Sequence, residues 1–246
     1  MALRDWLRRG AGRAAGLPAL VARVEALEAR LAALEDRAFD RRWEAIDELA
    51  GYLVHAEVPG DYLEFGVWQG RTFGYACRRM AAAFPKMRFV ALDSFRGLPA
   101  PRGIDAADGY TSGFREGEFA CSREQFLENL RRAGVDLARV LTVEGFFQDT
   151  LTPDTAGRLA LEQVAAAWID VDLYESTVPV LEFVAPRLSV GSVLLFDDWT
   201  CFRNHPDFGQ QRAVREWLER TPGLALRDLF AFGWHGRAFS VSAVPR

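Results

Sequence analysis

The sequence predicts an α/β protein: a doubly wound, mostly parallel seven-stranded sheet with an antiparallel C-terminal hairpin, preceded by a helical, coiled-coil-like N-terminal extension. Three observations predict it. From residue 62 onward, short apolar runs of strand length alternate with amphipathic stretches of helical period. The last two strand-like runs follow one another with no helix between them. Before the alternation begins, Leu17, Leu20, Val24, Leu27, Leu31 and Leu34 recur at heptad a/d spacing.

Residues 1–16 come first and read as a basic, flexible tail, with four arginines against Asp5. The alternative for this tail is weak contact with an anionic membrane surface through its arginines, Trp6 and Leu7. Residues 17–38 form the heptad helix. Arg23 and Arg30 fall at g and Glu28 and Glu35 at e, so a parallel pair of such helices could form g–e′ ion pairs and make the protein a homo-oligomer. A lone amphipathic helix folded onto its own domain is the alternative. The rest, 39–246, reads as one α/β domain. A helix is predicted over 39–56, a strand over 62–65, a helix over 72–83 and a strand over 88–92. Ser122-x-x-Gln125 is a capping pattern that opens a helix over 122–133. Then come a strand over 140–143, a helix over 157–164, a strand over 166–169, a helix over 175–185, a strand over 192–196 and a helix over 210–220. Runs 226–232 and 238–244 make the hairpin.

Composition narrows the function. Half of the 246 residues are hydrophobic, enough for one sizeable core. A net charge of −4 and the lack of a large basic block argue against nucleic acid as a partner. Cys77, Cys121 and Cys201 are far apart, which argues against a zinc site or a disulfide framework. With no apolar run of membrane-spanning length and no signal-peptide pattern, the expected location is the cytoplasm.

The acidic residues gather at the predicted carboxyl ends of strands, where open α/β sheets bind ligands. The first such segment is Glu64-Phe65-Gly66-Val67-Trp68-Gln69-Gly70. Gly66 and Gly70 permit a tight turn and close approach of a ligand to the backbone. The E-x-G-x-x-x-G spacing departs from the glycine pattern of dinucleotide binders, and an acid before the loop suits a ligand bearing an ammonium and a sulfonium. Asp93 ends the second strand and could accept the two hydroxyls of a ribose, or simply cap a turn. Asp170 follows the fourth strand and Asp197-Asp198 the fifth. Neighbouring strands would bring these three carboxylates together, where they repel one another unless a hard cation such as Mg²⁺ joins them. Asp172 ranks below them, because strand alternation points it away from Asp170.

These segments also carry a resemblance. YLEFGVWQGRT (62–72), ALDSFRGLP (91–99), IDVDLYEST (169–177) and LFDDW (195–199) resemble, in the same order, the macrocin O-methyltransferase family, which methylates sugar hydroxyls of macrolides and related glycosides. The resemblance covers roughly residues 50–220. It implies a Rossmann-like class I methyltransferase domain that takes S-adenosyl-L-methionine as methyl donor and a sugar or glycoside as acceptor. It implies Asp170, Asp197 and Asp198 as ligands of Mg²⁺ or another divalent cation. It places Glu64, Gly66, Asp93 and Ser94 along the S-adenosylmethionine site, together with Gly70 of the same loop. Phe147, in the stretch after the third strand, would neighbour the adenine or else pack in the core.

The chemistry expected of such a site gives Asp170 the catalytic role of receiving the acceptor hydroxyl's proton. His205 and His235 are rival bases that read more simply as surface loop residues; His55 reads as a helix end. The glycine-rich stretch 99–119, with Asp105, Tyr110, Phe114 and Phe119, reads as a lid or substrate loop. The competing functions are a nicotinamide-dependent oxidoreductase, disfavoured by the glycine spacing, and a non-catalytic coiled-coil scaffold, disfavoured by the retained acids.

Overall fold

A computed structural model of the chain describes residues 20–27, 41–106 and 114–245. It divides into two compact units, Met1–Arg41 and Arg42–Arg246. Within the first, residues 20–27 are helical, and Leu20 and Leu27 of the heptad seam are exposed. The basic tail and the remainder of the 17–38 heptad lie outside the described residues. None of the described helices is long and apolar enough to cross a membrane.

The second unit runs α1 (Arg42–His55), β1 (Asp61–Phe65), α2 (Arg71–Met80), β2 (Phe89–Asp93), α3 (Arg123–Arg132), β3 (Val140–Glu144), α4 (Phe147–Thr150) and α5 (Pro153–Arg158). It continues with β4 (Val164–Ile169), α6 (Tyr174–Val184), β5 (Val193–Phe196), α7 (Gly209–Arg220), β6 (Ala225–Phe232) and β7 (Gly236–Ala243). The sheet order is β3-β2-β1-β4-β5-β7-β6. The first five strands pair in parallel, and β7 joins antiparallel to both β5 and β6. This is the mostly parallel seven-stranded sheet with a C-terminal hairpin that the sequence predicts.

Strand alternation sorts the core into two layers. Tyr62, Phe89, Ala91, Trp168 and Leu195 face α1, α2 and α3, which contribute Ile46, Leu49, Phe73, Met80 and Phe126. Leu63, Phe65, Leu92, Ile169 and Phe196 face α6 and α7, which contribute Val180, Leu181, Val214 and Trp217. Both faces of β4 and β5 are covered, so these strands read as unbroken apolar runs.

One helix is displaced from its predicted place. The sequence pattern puts it over 157–164, but α5 occupies Pro153–Arg158 and Val164 already begins β4. Thr152 caps α5 by accepting a hydrogen bond from the Thr155 amide at 3.2 Å, and Pro153 sits in its first turn. Local capping chemistry therefore outweighs the apolar periodicity that extends into the strand. The Ser122 cap is formed as predicted, with the Gln125 amide 3.2 Å from Oγ. In the stretch 99–119, a 3-10 turn forms at Gly103–Ala106 and residues 107–113 lie outside the described residues.

Candidate functional site

The strand order reverses between β1 and β4, which opens a crevice at their carboxyl ends. Backbone bonds continue the register one step past the strands: Gly66 N–H to Leu92 O, Asp170 N–H to Phe65 O, and Asp197 N–H to Ile169 O, each at 2.9–3.0 Å. The first residues beyond β1, β4 and β5 thus line up in one row across the crevice.

Gly66 is needed in that row. Its φ is +79°, and a Cβ there would lie 1.8 Å from the carbonyl oxygen of Asp170. Gly70, also at φ +79°, starts α2 where a Cβ would meet the Phe126 ring at 2.7 Å. The glycines of the first motif therefore permit close packing of this loop on its neighbours.

Asp170, Asp197 and Asp198 come together as the sequence predicts: one carboxylate oxygen from each lies within 4.8 Å of the others. Oxygens bound to a common cation at about 2.1–2.4 Å are separated by no more than about twice that distance, so this donor set fits a hard divalent ion. Burial raises the carboxyl pKa values of Asp170 and Asp198 well above the ordinary range, and the neighbouring acids push them further. Asp172, at φ +57°, shares this field, and burial likewise raises its pKa; its backbone amide donates to Asp198 Oδ2 at 2.9 Å. Its carboxylate is not one of the converging three.

The three acids are held differently. Asp198 is fixed by neutral donors, the Asp172 amide and Gln210 Nε2 at 3.3 Å, while the Gln210 carbonyl accepts from the Asp198 amide. Asp197 is gripped by Arg42 of α1, Nε to Oδ1 at 2.9 Å and Nη2 to Oδ2 at 2.5 Å. Asp170 is partly buried. His235 lies in the turn between β6 and β7, as expected, but not at the surface. Its side chain is 14% exposed, with Nδ1 2.6 Å from the Asp197 carbonyl oxygen and 3.6 Å from Oδ2. His205 remains at the surface. His55 ends α1, as predicted.

Glu64 is fully buried on the same side of the sheet and accepts a hydrogen bond from the Tyr62 hydroxyl at 2.6 Å. Burial pushes its pKa up to about 8; the Tyr62 bond and Arg42 oppose the rise, and Asp197 adds to it. Asp93 accepts three backbone N–H groups, from Val67 at 2.8 Å, Trp68 at 3.1 Å and Phe95 at 2.7 Å. It ties the β1–α2 loop to the turn after β2, which is the turn-aspartate role that the sequence left open. Ser94 closes that turn, donating to Gly97 O at 2.7 Å and accepting from the Arg96 amide. Phe147 packs edge-on against Phe65, with ring centroids 5.9 Å apart, at the margin of the core.

Beside the acids an open cleft of about 680 Å³ is lined by Phe114, Cys201, Phe202, Arg203 and Trp234 among others. Cys201 Sγ lies 3.8 Å from Asp198 Oδ1 and links the cleft to the carboxylates. Phe202, Arg203 and Asn204 all have φ between +55° and +58°, a run of left-handed residues that side chains other than glycine rarely adopt.

Arg42, Gln210 and Tyr62 were not singled out as site residues by sequence reading, and His235 was considered only as a rival base. One signal was available for Arg42: a cation in the first turn of a helix opposes the helix dipole, so a specific partner there is expected.

The fold and the carboxylate crevice define an O-methyltransferase-type α/β domain. Two solved structures share it: the O-methyltransferase NovP (TM-score 0.67, 26% identity, 82% of this chain and 80% of that one) and a calicheamicin methyltransferase (TM-score 0.64, 27% identity, 80% and 77%). The chain belongs to the macrocin O-methyltransferase family, whose model matches residues 38–224. Among curated relatives, it is 37% identical over 146 residues to 8-demethyl-8-(2,3-dimethoxy-alpha-L-rhamnosyl)-tetracenomycin-C 4'-O-methyltransferase of Streptomyces olivaceus, covering 58% of this chain and 54% of the relative. It is 31% identical over 147 residues to mycinamicin III 3''-O-methyltransferase of Micromonospora griseorubida, covering 58% and 56%. The matches span a little over half the length of these relatives.

Proposed function

We propose that this protein transfers a methyl group from S-adenosyl-L-methionine to a sugar hydroxyl of a glycoside, with a divalent cation held by Asp170, Asp197 and Asp198. The observation that carries the reading is the convergence of those three carboxylates, within 4.8 Å, in the crevice between β1, β4 and β5. The names of the relatives support the acceptor class: one is a 4'-O-methyltransferase of a rhamnosyl compound, the other a 3''-O-methyltransferase of mycinamicin III.

When bound, S-adenosylmethionine supplies an activated methyl on a sulfonium, and a cation such as Mg²⁺ supplies Lewis acidity that lowers the pKa of a hydroxyl. The chain's own residues do the rest. Glu64 and the Gly66 loop set the donor side of the crevice, with Gly70, Asp93 and Ser94 shaping its walls and Phe147 near the base. The cleft at Phe114, Phe202 and Trp234 holds the acceptor beside the acids, its aromatic rings offering faces to a sugar and Arg203 and Asn204 offering polar groups. Asp170 would take the proton of the acceptor hydroxyl onto its carboxylate as the methyl group is transferred. Asp170 is placed for this role because it stands in the row that lines the crevice, with a carboxylate oxygen within 4.8 Å of those of Asp197 and Asp198. Positioning of the two reactants accounts for much of the remaining rate.

The test uses labelled S-adenosylmethionine and a panel of rhamnosyl and related glycosides. Label should move to a sugar hydroxyl, and a chelator should stop it. Asp198→Asn should lower the rate by about a hundredfold or more. Calorimetric affinity of that variant for S-adenosylhomocysteine should stay within a fewfold of wild type. Binding of NAD in place of S-adenosylhomocysteine would overturn the reading.

A further inference from the structure

Arg42 stands at the first residue of α1, 155 positions from Asp197 in sequence, and donates from Nε and Nη2 to the two oxygens of that carboxylate. Asp197 is 2% exposed and Arg42 31%, so the guanidinium reaches from the protein's edge into the acid cluster. Its charge acts beyond its partner: it offsets the repulsion felt by Glu64, Asp170, Asp172 and Asp198 as well.

Both Asp197 oxygens are engaged by Arg42, whereas Asp198 is held by neutral donors and, among the described residues, Asp170 forms no ion pair. A divalent ion entering among the three carboxylates therefore meets a fixed positive charge one carboxylate away. It must share an Asp197 oxygen with the guanidinium or draw that oxygen out of the bidentate bond. Two like charges that share a buried anion repel strongly, because the interior screens them poorly.

We infer that Arg42 is a built-in counter-cation of this centre: it neutralises Asp197 in the metal-free protein and holds the affinity for the divalent ion down, so that the ion exchanges readily. The inference rests on the proposed metal site. It differs from a purely structural staple of α1, which predicts that loss of Arg42 loosens the site and weakens metal binding. A counter-cation predicts the opposite sign.

The test is calorimetric titration of Mn²⁺ into the full chain, free of glycoside and methyl donor, for wild type, Arg42→Gln and Arg42→Lys. Thermal denaturation with chelator and with Mn²⁺ accompanies it. Arg42→Gln should bind Mn²⁺ at least tenfold more tightly than wild type. It should melt lower in chelator and show a larger rise on adding Mn²⁺. Arg42→Lys keeps the charge and should stay within about threefold of wild type, and it carries the test if the Gln variant fails to fold. Wild-type binding with equal or weaker binding by Arg42→Gln would overturn the counter-cation and leave the metal site standing. The Lys variant binding tenfold more tightly would likewise overturn it, because charge would not be the cause. Failure of Mn²⁺ to bind any of the three would overturn the metal site itself, and the inference with it.

Discussion

At the end of β1, Glu64 keeps its proton far above the pH at which an exposed glutamate loses it, because burial withholds the water that would solvate its charge. The consequence for stability has a definite sign. The folded protein holds this proton up to about pH 8 and the unfolded chain only to about 4.5, so folding takes up a proton between those values. Stability of the metal-free protein therefore falls as pH rises through that window, by roughly 1.4 kcal/mol per pH unit from this one group. Burial shifts Asp170, Asp172 and Asp198 in the same direction. Urea denaturation in chelator at pH 5.5 and 7.5 should show wild type weaker at the higher pH. Glu64→Gln, which accepts the Tyr62 hydrogen bond without a charge to bury, should show a shallower decline. A wild type more stable at pH 7.5 would contradict this. At this scale the acids were legible in the sequence because each follows an apolar run of strand length. Arg42 was not: its partner Asp197 is 155 positions away, and only the folded chain brings the two together. His235 could be named as a rival base, but its contact with Asp197, 38 positions away, could not be read.

Between elements, the site depends on how closely the loops after β1 and β4 approach. Gly66 lies against the carbonyl of Asp170, with no room for a methyl group and with a backbone conformation that disfavours one. Gly66→Ala should cost about 3 kcal/mol of stability or more, from overpacking and left-handed strain together. It should also displace Asp170 and so weaken metal binding. Denaturant midpoints and Mn²⁺ titration check both effects; a variant as stable as wild type would mean that the loops are less tightly coupled. Elements with one clear buried pattern and a capping signal were readable, α3 with its Ser122 cap being the clearest. The misplaced helix near residue 157 shows what defeats that reading. Leu159, Ala160, Leu161 and Val164, between α5 and β4 and at the start of β4, mimic a helical apolar spacing, so period alone does not mark the border, and the Thr152-Pro153 start was the better guide.

Across the whole molecule, the parallel part of the sheet does one thing for function: its order places the ends of β1, β4 and β5 side by side. Acids separated by more than a hundred residues in sequence become neighbours in a desolvated crevice, a state that a cation relieves. Family membership over 38–224 accords with this architecture, while the heptad of 17–38 lies almost wholly before the matched region. Self-association through that heptad and attachment of the basic tail to a membrane remain proposals from the sequence. The most direct measurement is anomalous diffraction from crystals grown with Mn²⁺ and S-adenosylhomocysteine. A single strong peak should lie within coordination distance of Asp170, Asp197 and Asp198, beside the ligand bound over Glu64 and Gly66. A peak elsewhere, or ordered S-adenosylhomocysteine with no metal among the three carboxylates, would contradict the assignment.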